Sequence, residues 1–169
     1  TLFRSNPLIL ALETASTLGG AALLEGETVL QTVDLEEGLR HGKSLLPAAR
    51  LCLQNANLSV RDLSAVAVDI GPGSYTGTRI GVMAAKAIAF GRDIPVVGVS
   101  HLAAIAHCAA SLDVPEVVPI VTARRGEVYT AVYRNGEVVV ADVACTPEQA
   151  AFLGTGSDRL LIGSAVNAD

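Results

Sequence analysis

Apolar positions along the chain alternate between short continuous runs and stretches with 3- and 4-residue spacing. Leu8-Ile9-Leu10-Ala11-Leu12 is a continuous run suited to a strand buried on both faces. It ends in the polar turn Glu13-Thr14-Ala15-Ser16-Thr17. Two further strands are predicted over 20–24 and 28–35, joined by Glu25-Gly26-Glu27. A helix follows over 44–55, where Leu45, Ala48, Ala49, Cys52 and Ala56 share one face. With Ser44 as N-cap, Pro47 is tolerated; an earlier start should kink the helix there. The chain then reads strand 65–70, helix 76–90, strand 96–99 and helix 101–110. That alternation predicts right-handed crossovers and a parallel portion of the sheet.

From Pro115 the plan begins again. Strands at 117–122, 127–133 and 138–143 precede a short helix starting near Pro147, with a last strand at 160–162. Asn135-Gly136 is a hairpin turn signal, and Thr146-Pro147-Glu148-Gln149 has the form of a capping box with Pro at the first helical position. Three strands and a helix thus occur twice, with negligible sequence identity between the copies. The expected fold is α/β with mixed sheets and a duplicated βββα plan. Such a duplication points to the two-lobed actin-like ATPase, or ribonuclease H-like, architecture. The first lobe is expected over 1–99; a smaller second lobe, short at its C-terminal end, is expected over 100–169.

Composition narrows the setting. Half of the 169 residues are hydrophobic but only 4% are aromatic, so the core is built from small aliphatic side chains. The longest stretch without a formal charge, Ile94 to Leu112, contains Pro95, Gly98, His101 and His107, and reads as strand, turn and helix rather than a bilayer span. The five apolar residues between Arg4 and Glu13 are too few for a signal peptide. A cytoplasmic protein with no membrane contact is expected. Cys52, Cys108 and Cys145 are odd in number and lack Cys-x-x-Cys spacing, so each is expected to be a small buried hydrophobe. A net charge of −5 argues against strong autonomous binding to nucleic acid.

Candidate chemistry lies between the strand ending at Ile70 and the next helix: Gly71-Pro72-Gly73-Ser74-Tyr75-Thr76-Gly77-Thr78-Arg79-Ile80-Gly81. A glycine-rich strand-to-helix turn lets backbone N–H groups approach an anion. The same glycines also serve a tight turn with no ligand. In the helix, Gly77, Gly81 and Ala85 at i, i+4 and i+8 leave one face almost bare. Either a partner helix or the chain's own sheet fits against such a face. Arg79 and Lys86 mark the charged stripe, and Ile80, Val82, Met83, Ile88 and Phe90 fill much of the rest.

The run from Gly71 to Gly81 resembles the Gly-Pro-Gly-Ser-Phe/Tyr-Thr-Gly-x-Arg-Ile-Gly motif of the TsaB (YeaZ) family. Leu8 to Thr14 resembles that family's opening strand, with Glu13 where Asp is usual. Leu45-Leu46-Pro47 resembles the start of its first helix, and Val96-Val97-Gly98-Val99-Ser100 a later strand. Ala123-Arg124-Arg125-Gly126-Glu127-Val128-Tyr129 resembles a further signature, with Thr122 in place of the usual Asp. The likeness covers about residues 8–135, in the family's order.

The resemblance implies a non-catalytic relative of TsaD, the subunit that transfers a threonylcarbamoyl group to N6 of adenosine 37 in tRNA. It implies a helical face that pairs with TsaD or with a second copy, an ATPase, TsaE, that joins the assembly, and only indirect contact with tRNA. That interface is expected at Leu45, Leu46, Gly77, Arg79, Ile80, Gly81, Ala84 and Ala85. No catalytic residue and no metal ligand set is expected. Where TsaD-like proteins carry His-x-x-x-His, this chain has His101-Leu102-Ala103-Ala104-Ile105, and His107 lies about 120° around the helix from His101.

Glu13, Thr14 and Ser16 with Gly71, Gly73 and Ser74 occupy the positions of two phosphate loops in actin-like ATPases. Glu13 and Asp69 are placed to hold Mg²⁺ through water. The second lobe offers only Gly154-Thr155-Gly156 as an adenosine loop, so ATP or ADP is expected at most at a heteromeric interface. An autonomous actin-like ATPase or kinase is the alternative, and a glycoprotease-like metallohydrolase a weaker one, since Ser16 and Ser74 have no His nearby in sequence.

Overall fold

The structure is a computed structural model that describes residues 6–35, 41–154 and 158–166, without the side chains of residues 41 and 110. The chain divides into two compact units, 1–99 and 100–169.

In the first unit, strands β1 (Leu8–Glu13), β2 (Gly20–Glu25), β3 (Thr28–Asp34), β4 (Ala65–Asp69) and β5 (Val96–Val99) form one sheet in the order β3-β2-β1-β4-β5. The β1–β2 and β2–β3 pairs are antiparallel, whereas β4 runs parallel to β1 and to β5. Helices α1 (His41–Asn55) and α2 (Tyr75–Arg92) pack on this sheet and on each other. Leu8, Leu10 and Leu12 of β1 point into the core. There they meet Leu23, Val66 and Val68 from neighbouring strands, Leu45 and Cys52 of α1, and Ala85 and Ala89 of α2. Burial alternates along β1, and Ile9, Ala11 and Glu13 on the other face are only half-buried. The expectation of a strand buried on both faces therefore holds on one face only. Helix α1 begins at His41, three residues before Ser44, so Pro47 stands inside it without an N–H for the helical ladder.

The second unit repeats the plan. Strands β6 (Glu116–Thr122), β7 (Val128–Arg134), β8 (Glu137–Cys145) and β9 (Arg159–Ile162) are ordered β8-β7-β6-β9. The β6–β7 and β7–β8 pairs are antiparallel, and β9 is parallel to β6. This matches β3-β2-β1-β4 in both order and direction, with α4 (Pro147–Leu153) between the third and fourth strands as α1 is in the first copy. Helix α3 (His101–Cys108) contributes Leu102 and Ala106 to the core beside Val117, Val121, Ala131 and Tyr133. Asn135 and Gly136 both take positive φ, 51° and 82°, which the tight β7–β8 turn requires. The α4 capping box forms between Thr146 and Gln149. Glu116 is 2% exposed and stands opposite Arg134 across β6–β7, with their charged groups 2.8 Å apart.

The cysteines divide by environment. Cys52 is buried and its thiol, donating to the Ala21 carbonyl, is pushed up by burial. Cys145 is intermediate and Cys108 exposed, so the expectation of three buried cysteines fails for both. Among the described residues, no helix is long and apolar enough to cross a membrane.

Leu23 is fully buried on β2, beside the central strand of the first sheet. Leu23→Ala is expected to cost about 2–5 kcal/mol, read in denaturant unfolding, through lost burial and the cavity left behind.

Candidate functional site

The turn after β1 and the glycine-rich turn after β4 lie against each other at the entrance to α2. Parallel pairing of β1 with β4 brings the two strand ends side by side, Leu12 being in register with Val68. The Ser74 N–H donates to the Ala15 carbonyl at 2.7 Å, joining the two turns directly. A Cβ at position 73 would run into the same carbonyl, so the close approach requires glycine there. Gly71 takes φ +88°, a second position that favours glycine.

Several donors in these turns are engaged within the chain. The Glu13 carboxylate accepts from the Ser16 N–H at 2.8 Å and from the Ser16 hydroxyl at 3.1 Å, closing its own turn. The Gly71 N–H donates to buried Asp69 at 2.7 Å, and the Gly77 N–H to the Ser74 hydroxyl, which caps α2. Buried Thr14 donates its hydroxyl to the Gly77 carbonyl at 2.7 Å. The structure thus brings Glu13, Thr14, Ser16, Gly71, Gly73 and Ser74 together, but the N–H groups of Ser16, Gly71 and Ser74 are spent within the chain. A phosphate bound through those three groups would have to displace those bonds. Thr155 and Gly156 of the candidate adenosine loop lie outside the described residues.

The bare face of α2 points inward. Gly77, Gly81, Ala85 and Ala89 are its buried residues. A Cβ on Gly77 would overlap the Thr14 carbonyl, and one on Gly81 would come within 2.6 Å of the Thr14 hydroxyl and 3.4 Å of Val68. The expectation that Gly77, Gly81 and Ala85 form a partner interface is corrected on this ground: the chain's own turn and sheet fill that face. Leu45 is likewise 1% exposed and belongs to the core. Of the remaining expected interface residues, Ile80 and Ala84 are half-buried, while Leu46 and Arg79 face outward.

The outward surface of both helices carries large apolar groups. On α2, Tyr75, Met83 and Phe90 are 65%, 65% and 91% exposed, with Arg79 stacked on the Tyr75 ring at 5.4 Å. On α1, Leu46 and Leu51 are exposed. A cavity of about 390 Å³ opens beside them, lined by Leu46, Ala49, Arg50, Leu53, Val60 and Ile88 among others. Tyr75, Met83, Phe90 and Leu51 were not identified from sequence as interface residues. Their signal was present as the i, i+4, i+8 repeat of Tyr75, Arg79 and Met83, opposite the glycines. On α3, His107 is exposed and Ile105 half-buried.

The TsaD family model, described as tRNA N6-adenosine threonylcarbamoyltransferase, matches residues 37–159. The tRNA threonylcarbamoyladenosine biosynthesis protein TsaB of Bacillus subtilis (strain 168) is 41% identical over 138 residues, which cover 79% of this chain and 60% of that one. The Haemophilus influenzae protein of the same name is 35% identical over 158 residues, covering 86% and 66%. The solved structure of YeaZ from Pseudomonas aeruginosa superposes with a TM-score of 0.81 at 30% identity, over 92% of this chain and 75% of that one. The chain therefore spans less than two thirds of the length of these curated relatives.

Gly77→Leu and Gly81→Leu are expected to destabilise the first unit by about 3 kcal/mol or more, because backbone and β-sheet stand where the new side chain would go. Thermal melts followed by circular dichroism check this; an unchanged melting temperature would place the glycines outside the core.

Proposed function

The chain belongs to the TsaB (YeaZ) family, and from that premise we propose that it acts as the non-catalytic partner subunit of a TsaD-type transferase. The assembly forms N6-threonylcarbamoyladenosine in tRNA. The observation that carries the proposal is the set of exposed apolar groups on the outer surface of α1 and α2: Leu46, at the edge of an open cavity, and Tyr75, Met83 and Phe90 on α2. Exposed aromatic, Met and Leu side chains on outward helix faces are characteristic of protein-binding surfaces. The turns 13–16 and 71–74 support the non-catalytic half of the proposal. The backbone donors of Ser16, Gly71 and Ser74 are bonded within the chain, which favours a structural role over a phosphate cradle.

In this arrangement the chain supplies shape, not chemistry. Its helices dock the transferase and hold it in the conformation that receives tRNA, and tRNA contact falls mainly on the partner. A TsaE-type ATPase joins the assembly, and a second copy of the chain competes for the same helices. No cofactor is assigned to this chain alone; ATP or ADP enters only with the partner. The setting is the cytoplasm.

Reconstitution with the cognate transferase, the remaining pathway enzymes and unmodified tRNA tests the proposal. Threonylcarbamoyl transfer is expected only when both subunits are present. Leu46→Asp combined with Met83→Asp is expected to weaken association at least tenfold, about 1.4 kcal/mol, with the melting temperature unchanged. ATP turnover by the chain alone, with no complex in the mixture, would overturn it.

A further inference from the structure

The cavity of about 390 Å³ beside α1 reaches below the helix surface and is large enough for a small molecule. Leu10 and Leu53, both buried, form its floor, and half-buried Ile88 of α2 forms one wall. The wall at Leu58–Val60 is held by local bonds. Asn57 takes φ 54° where α1 ends, the Leu58 N–H donates to the Leu53 carbonyl at 2.8 Å, and Ser59 and Asp62 form a capping box. Arg92 donates to the Val60 and Arg61 carbonyls and so ties the end of α2 to that wall. The cavity is therefore preformed. Its polar groups are few and unequal. The Ser59 hydroxyl donates to Asp62 and accepts from the Arg61 N–H, and Gln54 offers an uncharged amide. Arg50 is exposed and is the one charged side chain in the lining. Among the described residues, no ion pair or hydrogen bond engages it.

We infer that this cavity binds a small amphiphilic monocarboxylate, with its hydrocarbon body against Leu10, Leu53, Leu58 and Ile88 and its carboxylate on the Arg50 guanidinium. The lining rejects other small molecules on chemical grounds. An amino acid leaves its ammonium without an acid to meet it, and a cationic amphiphile meets Arg50. A nucleotide presses its ribose and base edges against apolar walls that offer them no partners. A neutral alcohol keeps the apolar burial but forfeits the charge-assisted bond. The carboxylate binds the isolated chain, whether or not a transferase docks on the helices.

Amide NMR spectra of the full chain, titrated with octanoate, 1-octanol and octyltrimethylammonium below their micelle concentrations, test this. Octanoate is expected to saturate one site with a Kd of about 1 mM or tighter. Its shifts are expected in 46–60 and around Ile88. 1-Octanol is expected to bind about fivefold or more weaker, and the cation not at all. Arg50→Gln is expected to bring octanoate down to the affinity of 1-octanol and to leave 1-octanol unchanged. Val60→Trp, which sets a large ring at the cavity wall, is expected to lose both. Both residues are exposed, so an unchanged melting temperature accompanies each change. Arg50→Gln decides the matter even where Val60→Trp disturbs the fold. No saturable binding, equal affinity for octanoate and 1-octanol, or shifts centred on Met83 and Phe90 instead of the cavity, each overturns the inference. A transferase complex that forms with a chain that binds no octanoate removes the ligand site and leaves the partner role standing.

Discussion

The first unit depends on how closely α2 approaches the turn after β1. Thr14 provides both sides of that contact: its hydroxyl donates to the Gly77 carbonyl, and its own carbonyl occupies the space a side chain on Gly77 would need. Gly81 extends the approach one turn further, over the Thr14 hydroxyl and Val68. Ala85 and Ala89 continue it with the smallest side chains that still fill space. A helix seated this low on its sheet brings the two turns at the strand ends into hydrogen-bonding distance. The Ser74–Ala15 bond follows from the seating of the helix as much as from the loop sequence.

Two consequences follow from that seat. In the turns at 13–16 and 71–74 the Ser16 N–H is held by Glu13, the Gly71 N–H by Asp69 and the Ser74 N–H by the Ala15 carbonyl, so the two strand ends are clasped together at the entrance to α2. The opposite side of α2, carrying Tyr75, Met83 and Phe90, is left to solvent together with the outer face of α1. A helix with large apolar groups on its outward face as well as a buried face gains from cover on both sides. The chain covers one with its own sheet and presents the other.

Much of this architecture is legible in the sequence. The duplicated βββα plan, the Asn135-Gly136 turn and the α4 cap are local signals, and each sits where propensity and tertiary packing agree. The start of α1 is not legible in the same way, because Ser44 and Pro47 mimic an N-terminus that tertiary contacts override. The inward direction of Gly77 and Gly81 is hidden for a different reason. Small-residue spacing identifies a face of close approach but carries no information on whether a partner or the chain's own turn supplies the other side. Thr14, polar and near the end of a strand, gives no sign in one dimension that it meets a helix 63 residues away. The Glu116–Arg134 pair is equally silent, since only the β6–β7 register places the two residues opposite each other.

Hydrogen–deuterium exchange on the chain, alone, with ATP, and with the cognate transferase, tests most directly whether it is a partner subunit working through the outer face of its helices. The expected result is new protection in 41–55 and 75–92 when the transferase is added, and no change in 13–17 or 71–74 with ATP alone. Protection of those two turns by ATP in the isolated chain, with the helices unaffected by the transferase, would contradict the assignment and make the clasp a nucleotide site.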